Sequence, residues 1–312
     1  MYKRRRVLDI IHRWEGNPLL TITDLSFQSA DILNAGVVKY ENMYYLLLTI
    51  KDLKGTCSLY LAKSTNGIHF EVESHPLLTS SEDEAYKEYE DMGVMDARIT
   101  YLEDYYYLTY IAAGHHGDCL GLARTKDFES VERLGIISEP DTKAAALFPK
   151  KIKDRYALLE RPGDKGSIWV SYSSDLVYWQ RAEIVAMPRG GYWDCNRIGT
   201  SVPPIETKDG WLVFYYGVKE TSAGPLYRIG ALVLDLENPT IVKGRTNIPI
   251  LSPREQYERV GDINNVVFSC GAIVEPNEEI KLYYGASNSC MCMGMVNLDD
   301  VLDLCLKSTE EY

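Results

Sequence analysis

Apolar positions along this chain fall into short aromatic runs bounded by acidic or polar turns, not into the three-to-four spacing of amphipathic helices. One pattern recurs: a polar turn, an aromatic strand, a strand of small residues, then a turn rich in Ser, Asp, Asn and Gly. It appears at 41–48 with 58–67, at 103–110 with 120–128, and at 153–159 with 168–176. It returns at 209–216 with 229–235 and at 278–285 with 292–296. Each unit reads as two strands joined by a loop. The spacing of roughly 50 to 70 residues suits a four-stranded blade with long loops. No Pro/Gly/Ser-rich linker divides the chain, so five units predict an all-β, five-bladed β-propeller forming a single domain over 1–312. A β-sandwich or two small β domains is the alternative, but sandwich strands need not repeat a motif. Helical periodicity is weak; the acidic stretch 81–89 is the one candidate helix.

A propeller collects its function where the inner strands converge and in the loops beyond them. Composition narrows what that funnel binds. Tyrosine is over-used, 23 against 6 Phe, which fits a β protein with polar, ring-lined clefts. The net charge of −12 argues against nucleic acid as a partner. The basic start is followed by an apolar stretch too short and interrupted for a secretory leader, and no run approaches a membrane span. Seven scattered cysteines lack paired metal spacing and read as reduced thiols in a cytoplasmic protein.

Among the polar residues, Asp96 and Arg98 stand two apart at the start of a strand, on one face of it. Spacing alone equally suits a structural ion pair. The acidic residues at 82–91 read as a solvated rim leading into Asp96. The His115-His116-Gly117-Asp118 loop lacks a third metal ligand at a plausible spacing.

Many ordered blocks carry a further resemblance. They include Leu33-Asn34-Ala35-Gly36, Gly93-Val94-Met95-Asp96-Ala97-Arg98, Glu160-Arg161-Pro162, Trp193-Asp194, Tyr215-Tyr216-Gly217, Tyr227-Arg228-Ile229-Gly230-Ala231, Asn265-Val266-Val267-Phe268 and Tyr283-Tyr284-Gly285-Ala286. From Asn17-Pro18 to about Leu302 the chain resembles glycoside hydrolase family 130, the β-mannoside phosphorylases and β-mannosidases. That resemblance implies a five-bladed propeller, in agreement with the repeat. It implies Asp96 as general acid, protonating the leaving oxygen through a hydroxyl of the bound mannose. Phosphate, or water in the hydrolases, then attacks the opposite face with inversion. Asn34 matches a sugar-binding asparagine, and His116 a frequent substrate contact.

The same resemblance implies a phosphate site at Lys143, Arg161, Arg197, Tyr216 and Tyr227. Arg161 and Tyr227 match directly, whereas Lys143 stands for Arg, Arg197 for Lys and Tyr216 for His. Arg and Lys are not interchangeable at bidentate sites. The alternative is that these cations pair with Asp194, Glu160 and other carboxylates. Thr49 stands where a sugar-binding Arg is usual, Lys51 for an acid, Ala97 for Pro, Ala144 for Asn and Asn288 for an Asp that grips sugar hydroxyls. Together these imply a re-cut sugar pocket. Arg98, Asp262 and Asn288 complete the expected substrate contacts.

Three readings follow. The first is an inverting phosphorylase that uses inorganic phosphate as co-substrate, needs no cofactor or metal, and releases mannose 1-phosphate from a small oligosaccharide. The second is a hydrolase with Glu160 as general base. The third is a sugar-binding propeller without turnover. A homo-oligomer is compatible with all three.

Overall fold

The computed structural model describes residues 9–163, 166–180 and 182–308. Its strands form five antiparallel blades, and the five expected pairs become the second and third strands of each. These are Met43–Lys51 with Cys57–Ser64, Tyr105–Ala113 with Cys119–Thr125, Tyr156–Pro162 with Ile168–Ser173, Gly210–Thr221 with Gly224–Leu234, and Glu279–Ala286 with Cys290–Asn297. The polar turns close by a shared device. Asn66, Asp127, Asp175 and Asp235 each take two backbone N–H groups two and three residues ahead on one side-chain oxygen.

The innermost strands are Asp31–Tyr40, Gly93–Leu102, Thr142–Leu147, Arg197–Thr200 and Val267–Val274. The outermost are Glu71–Leu78, Glu132–Ile136, Glu183–Ala186 and Val242–Arg245; the fifth blade instead takes the N-terminal strand His12–Arg13 beside Cys290–Asn297. The fifth blade, made otherwise of the last strands, is thus completed by an early strand, which closes the ring and leaves only a two-residue outer edge there. Blades one and two touch at a parallel bridge between Cys57 and Gly93, where a Cβ on Gly93 would lie 2.3 Å from the Cys57 carbonyl oxygen.

Each blade is apolar on both faces, and each neighbouring pair buries its own layer. Tyr45, Leu47, Ile99 and Tyr110 lie between blades one and two, and Leu102, Leu120, Leu147 and Leu158 between two and three. Phe148, Val170, Trp211 and Val213 fill the third seam, and Phe214, Ile229, Leu282 and Tyr284 the fourth. Ile32, Leu48, Tyr283 and Met293 close the fifth.

Two local expectations need correction. The acidic stretch 81–89 is a series of turns, not a helix. It ends on Glu90, which is fully buried and accepts from Tyr110 Oη at 2.8 Å and Arg133 at 2.9 Å. A real helix, Leu298–Lys307, starts on Asn297, whose side chain accepts from the Asp299 N–H. It buries Val301, Leu302 and Cys305. No helix among the described residues is long and apolar enough to cross a membrane.

Candidate active site

The inner strands do not run straight into the centre. Four of the five are broken by a register shift: between Ile32 and Ala35, Met95 and Arg98, Lys143 and Ala146, and Ser269 and Gly271. A bulge leaves its extra residue unpaired and re-aims side chains. Here the bulges bring Asn34, Asp96 and Ala144 to the head of the funnel and set buried Cys270 behind Asn34. Asp96 and Ala144 sit in the left-handed region, at φ 56° and 59°. Such backbone persists only where its surroundings hold it. For Asp96 the hold is visible. Its N–H donates to Thr49 Oγ1 at 3.0 Å, its carbonyl accepts from Arg98 Nη1 at 2.8 Å, and its Oδ1 accepts from Asn34 Nδ2 at 2.7 Å.

Above these bulges lies a cavity of about 390 Å³, in the size range of small-ligand sites. Of the expected residues it is lined by Asn34, Asp96, Arg98, Lys143, Arg161, Arg197, Tyr216, Tyr227 and Asn288. Residues drawn from all five blades therefore meet in one place. Asp96 is the single carboxylate among the lining residues, against four cations.

The cations are not alike. Arg98 is 1% exposed and spends its guanidinium on backbone carbonyls, those of Asp96, Thr200 and Ser201, tying the second blade to the fourth. Lys143 pairs with Asp118. Arg197 donates to Tyr227 Oη at 2.9 Å and stands 3.8 Å from Glu220. Arg161 is 7% exposed; its Nη1 reaches the Gly163 carbonyl at 3.0 Å, and its Nε has no hydrogen-bond partner among the described residues. Asp194 does not neutralise it, since that buried carboxylate is taken by Arg189 and Arg245 at 2.9 and 2.6 Å. Tyr216 stacks on Tyr227 and leans on Phe268. Burial pushes the Tyr216 hydroxyl above the ordinary tyrosine range despite nearby Arg161, so it remains a proton donor near neutral pH.

Four expected residues do not line the cavity. Thr49 is fully buried and acts on the Asp96 backbone from below. Glu160 alternates with Arg161 along its strand and so faces the other side of the sheet. Burial pushes its carboxyl up, offset in part by Ser171. Asp262 is exposed at the rim, bound to Lys51 at 2.9 Å, and His116 is exposed in its loop. Ala144, expected as part of a re-cut sugar pocket, also lines the cavity, whereas sequence reasoning gave no site role to Phe268 or the apolar lining Leu33, Met95, Ile111, Ile263 and Val266. It also missed Cys270 beneath them, whose Sγ donates to Asn34 Oδ1 at 3.3 Å.

The chain is similar to known proteins in sequence and in fold. A family profile described as β-1,4-mannooligosaccharide phosphorylase matches residues 2–307. A β-1,4-mannooligosaccharide phosphorylase of Ruminococcus albus is 32% identical over 305 residues, covering 95% of this chain and 90% of its own. A β-1,2-mannobiose phosphorylase of Listeria innocua is 36% identical over 354 residues, covering 94% and 97%. The solved β-1,2-mannobiose phosphorylase from Listeria innocua, in complex with β-1,2-mannobiose, superposes with a TM-score of 0.86 at 30% identity over 95% of this chain and 99% of that one.

Proposed function

Because the chain belongs to glycoside hydrolase family 130, we propose that it is an inverting phosphorylase that cleaves a β-mannoside with inorganic phosphate and releases mannose 1-phosphate. The observation that carries this reading is the ratio of charges in the cavity: one carboxylate, Asp96, and four cations. An inverting hydrolase needs a second carboxylate to activate water. A phosphorylase needs only the acid, because phosphate brings its own nucleophilic oxygen and requires cations to hold it.

The geometry supports a role for each residue. Arg161 supplies guanidinium donors not matched to a carboxylate among the described residues, with Arg197, Lys143 and the Tyr216 and Tyr227 hydroxyls lining the same cavity. A phosphate oxygen attacks C1 of the mannosyl unit, and the bond from C1 to the leaving sugar's oxygen breaks. Asp96 gives its proton toward that oxygen by way of a mannose hydroxyl. The proton of dihydrogen phosphate restores Asp96, and attack on the face opposite the leaving group yields the α-phosphate. Asn288 and Asn34 line the same cavity and are the amides we assign to the sugar. All seven cysteines are unpaired, which supports a reducing, cytoplasmic setting.

The relatives named above differ in linkage, so the decisive assay offers β-1,2-mannobiose, β-1,4-mannobiose and mannosyl-glucose with and without phosphate. Phosphate-dependent appearance of mannose 1-phosphate from one of them is expected. Cleavage at the same rate in phosphate-free buffer would reject phosphorolysis.

A further inference from the structure

A side-chain amide has a donor end and an acceptor end, and which way it points matters when it touches a general acid. Asn34 is 3% exposed, so water does not decide its orientation. Two protein groups do. Its Nδ2 donates to Asp96 Oδ1 at 2.7 Å, and its Oδ1 accepts from Cys270 Sγ at 3.3 Å. Cys270 is completely buried in the bulge of the fifth inner strand. Burial pushes its thiol well above the ordinary range, so it keeps its proton and donates. Asp96 Oδ2, by contrast, has no hydrogen-bond partner among the described residues and belongs to a side chain lining the cavity.

We propose that Cys270 is a positioning residue: its thiol fixes the Asn34 amide, and the amide holds Asp96 so that the acid's proton resides on Oδ2, the oxygen left for the substrate. This rests on the reading of Asp96 as general acid. While Oδ1 accepts from an N–H it is the poorer site for a proton. If the thiol is removed, Asn34 Oδ1 loses its donor, and nothing at that end any longer holds the amide against turning over. The turned amide offers its carbonyl to Asp96 Oδ1 and draws the proton there, away from the sugar.

The two orientations have opposite electrostatic signs. An N–H facing a carboxyl favours the charged form, and a carbonyl favours the protonated form. Other charged and titratable groups face Asp96: Arg98 at its carbonyl, Cys57 on the adjoining blade, and Lys143, Arg161, Arg197 and Tyr216 across the cavity. A change at Cys270 leaves all of these in place, so a shifted pH profile reports the amide.

The experiment compares Cys270→Val, Cys270→Ala and Cys270→Ser with the wild type and with Asp96→Asn, following phosphorolysis against pH. The valine and alanine variants are expected to lose at least about tenfold in kcat, with little change in the KM for phosphate. The basic limb of their kcat profile moves to higher pH. Serine, which still donates, restores both the rate and the limb. Alanine serves if valine does not fold. Wild-type kcat and an unmoved limb in a folded valine or alanine variant, with Asp96→Asn inactive, would overturn the positioning role alone. Retained activity in Asp96→Asn would overturn the acid assignment and this inference with it.

Discussion

Arg161 is a desolvated cation with no carboxylate partner among the described residues, and an acidic protein has carboxylates to spare. Buried carboxylates elsewhere show the contrast: Asp194 neutralises Arg189 and Arg245, and Glu90 neutralises Arg133. A buried charge left without a counter-ion costs stability, and replacing it by an apolar side chain of similar volume often recovers some. Such a cost at a cavity wall is expected of a binding residue. Arg161→Met is therefore predicted to leave stability unchanged or raise it by about 1 kcal/mol. The same variant should lose about 1.5–3 kcal/mol of phosphate binding, roughly ten- to a hundredfold in the KM for phosphate. Thermal unfolding and steady-state kinetics on one preparation test both halves. A destabilised variant with an unchanged phosphate KM would make Arg161 a structural residue. Arg98 is the converse: three carbonyls satisfy its guanidinium, and its work is to hold the backbone of Asp96.

At the scale of the strand, the site depends on how closely blades five and one approach. Gly285 in the strand Glu279–Ala286 marks that approach: a Cβ there would lie 1.7 Å from the Leu33 carbonyl oxygen and 3.2 Å from Asn34 Cβ. The clash is with backbone, so relief requires the blades to part. Gly285→Ala is predicted to destabilise by about 1–3 kcal/mol and to lower kcat, because the displaced strand is the one carrying Asn34. Urea unfolding and turnover measure the two effects; an alanine variant of unchanged stability would mean the seam is looser than its geometry requires. The strands themselves were legible to different degrees for physical reasons. The second and third strands of each blade repeat because every blade packs its neighbours in the same way. The inner strands carry bulges, which break the alternation that sequence reading relies on. The helix Leu298–Lys307 carries a readable pattern, with exposed Asp299, Asp300 and Asp303 opposite buried Val301, Leu302 and Cys305, but it is a single short helix in a chain dominated by the strand repeat. At the site, charged residues were legible through family resemblance, and the register shifts then explain why they converge. Thr49 and Cys270 were not legible as supports, because a hydroxyl or thiol beneath a bulge leaves no pattern in the chain.

Over the whole molecule, a ring of blades is as stable as the seam where its ends meet. Two clusters hold that seam. Arg13, on the N-terminal strand, reaches the fully buried Glu258 at 2.7 Å, and Tyr284 donates to the same carboxylate at 2.9 Å. On the other side, Glu275 of the fifth blade accepts from Lys39 and Tyr44 of the first and pairs with Lys281 at 3.1 Å. Burial alone would raise the Glu275 carboxyl, but the donors from Lys39, Tyr44 and Lys281 outweigh it and hold it at about 2, against an ordinary 4.5. A carboxyl depressed in the folded state stabilises fully above its unfolded value, and the contribution is lost as pH falls through the folded one. The seam should therefore weaken between about pH 4.5 and pH 2. Glu275→Gln keeps the shape of the side chain and removes the charge. Relative to wild type it is predicted to be less stable at pH 7 and to lose less stability on acidification, so that the two curves converge toward pH 2. Other carboxyls held low by turn N–H groups, such as Asp127 and Asp175, are common to both proteins and cancel in the difference. Denaturant midpoints at pH 7, 4 and 3 decide it: parallel curves would mean that Glu275 does not fasten the first blade to the last, and that closure rests on Arg13 and the apolar layer around Tyr283.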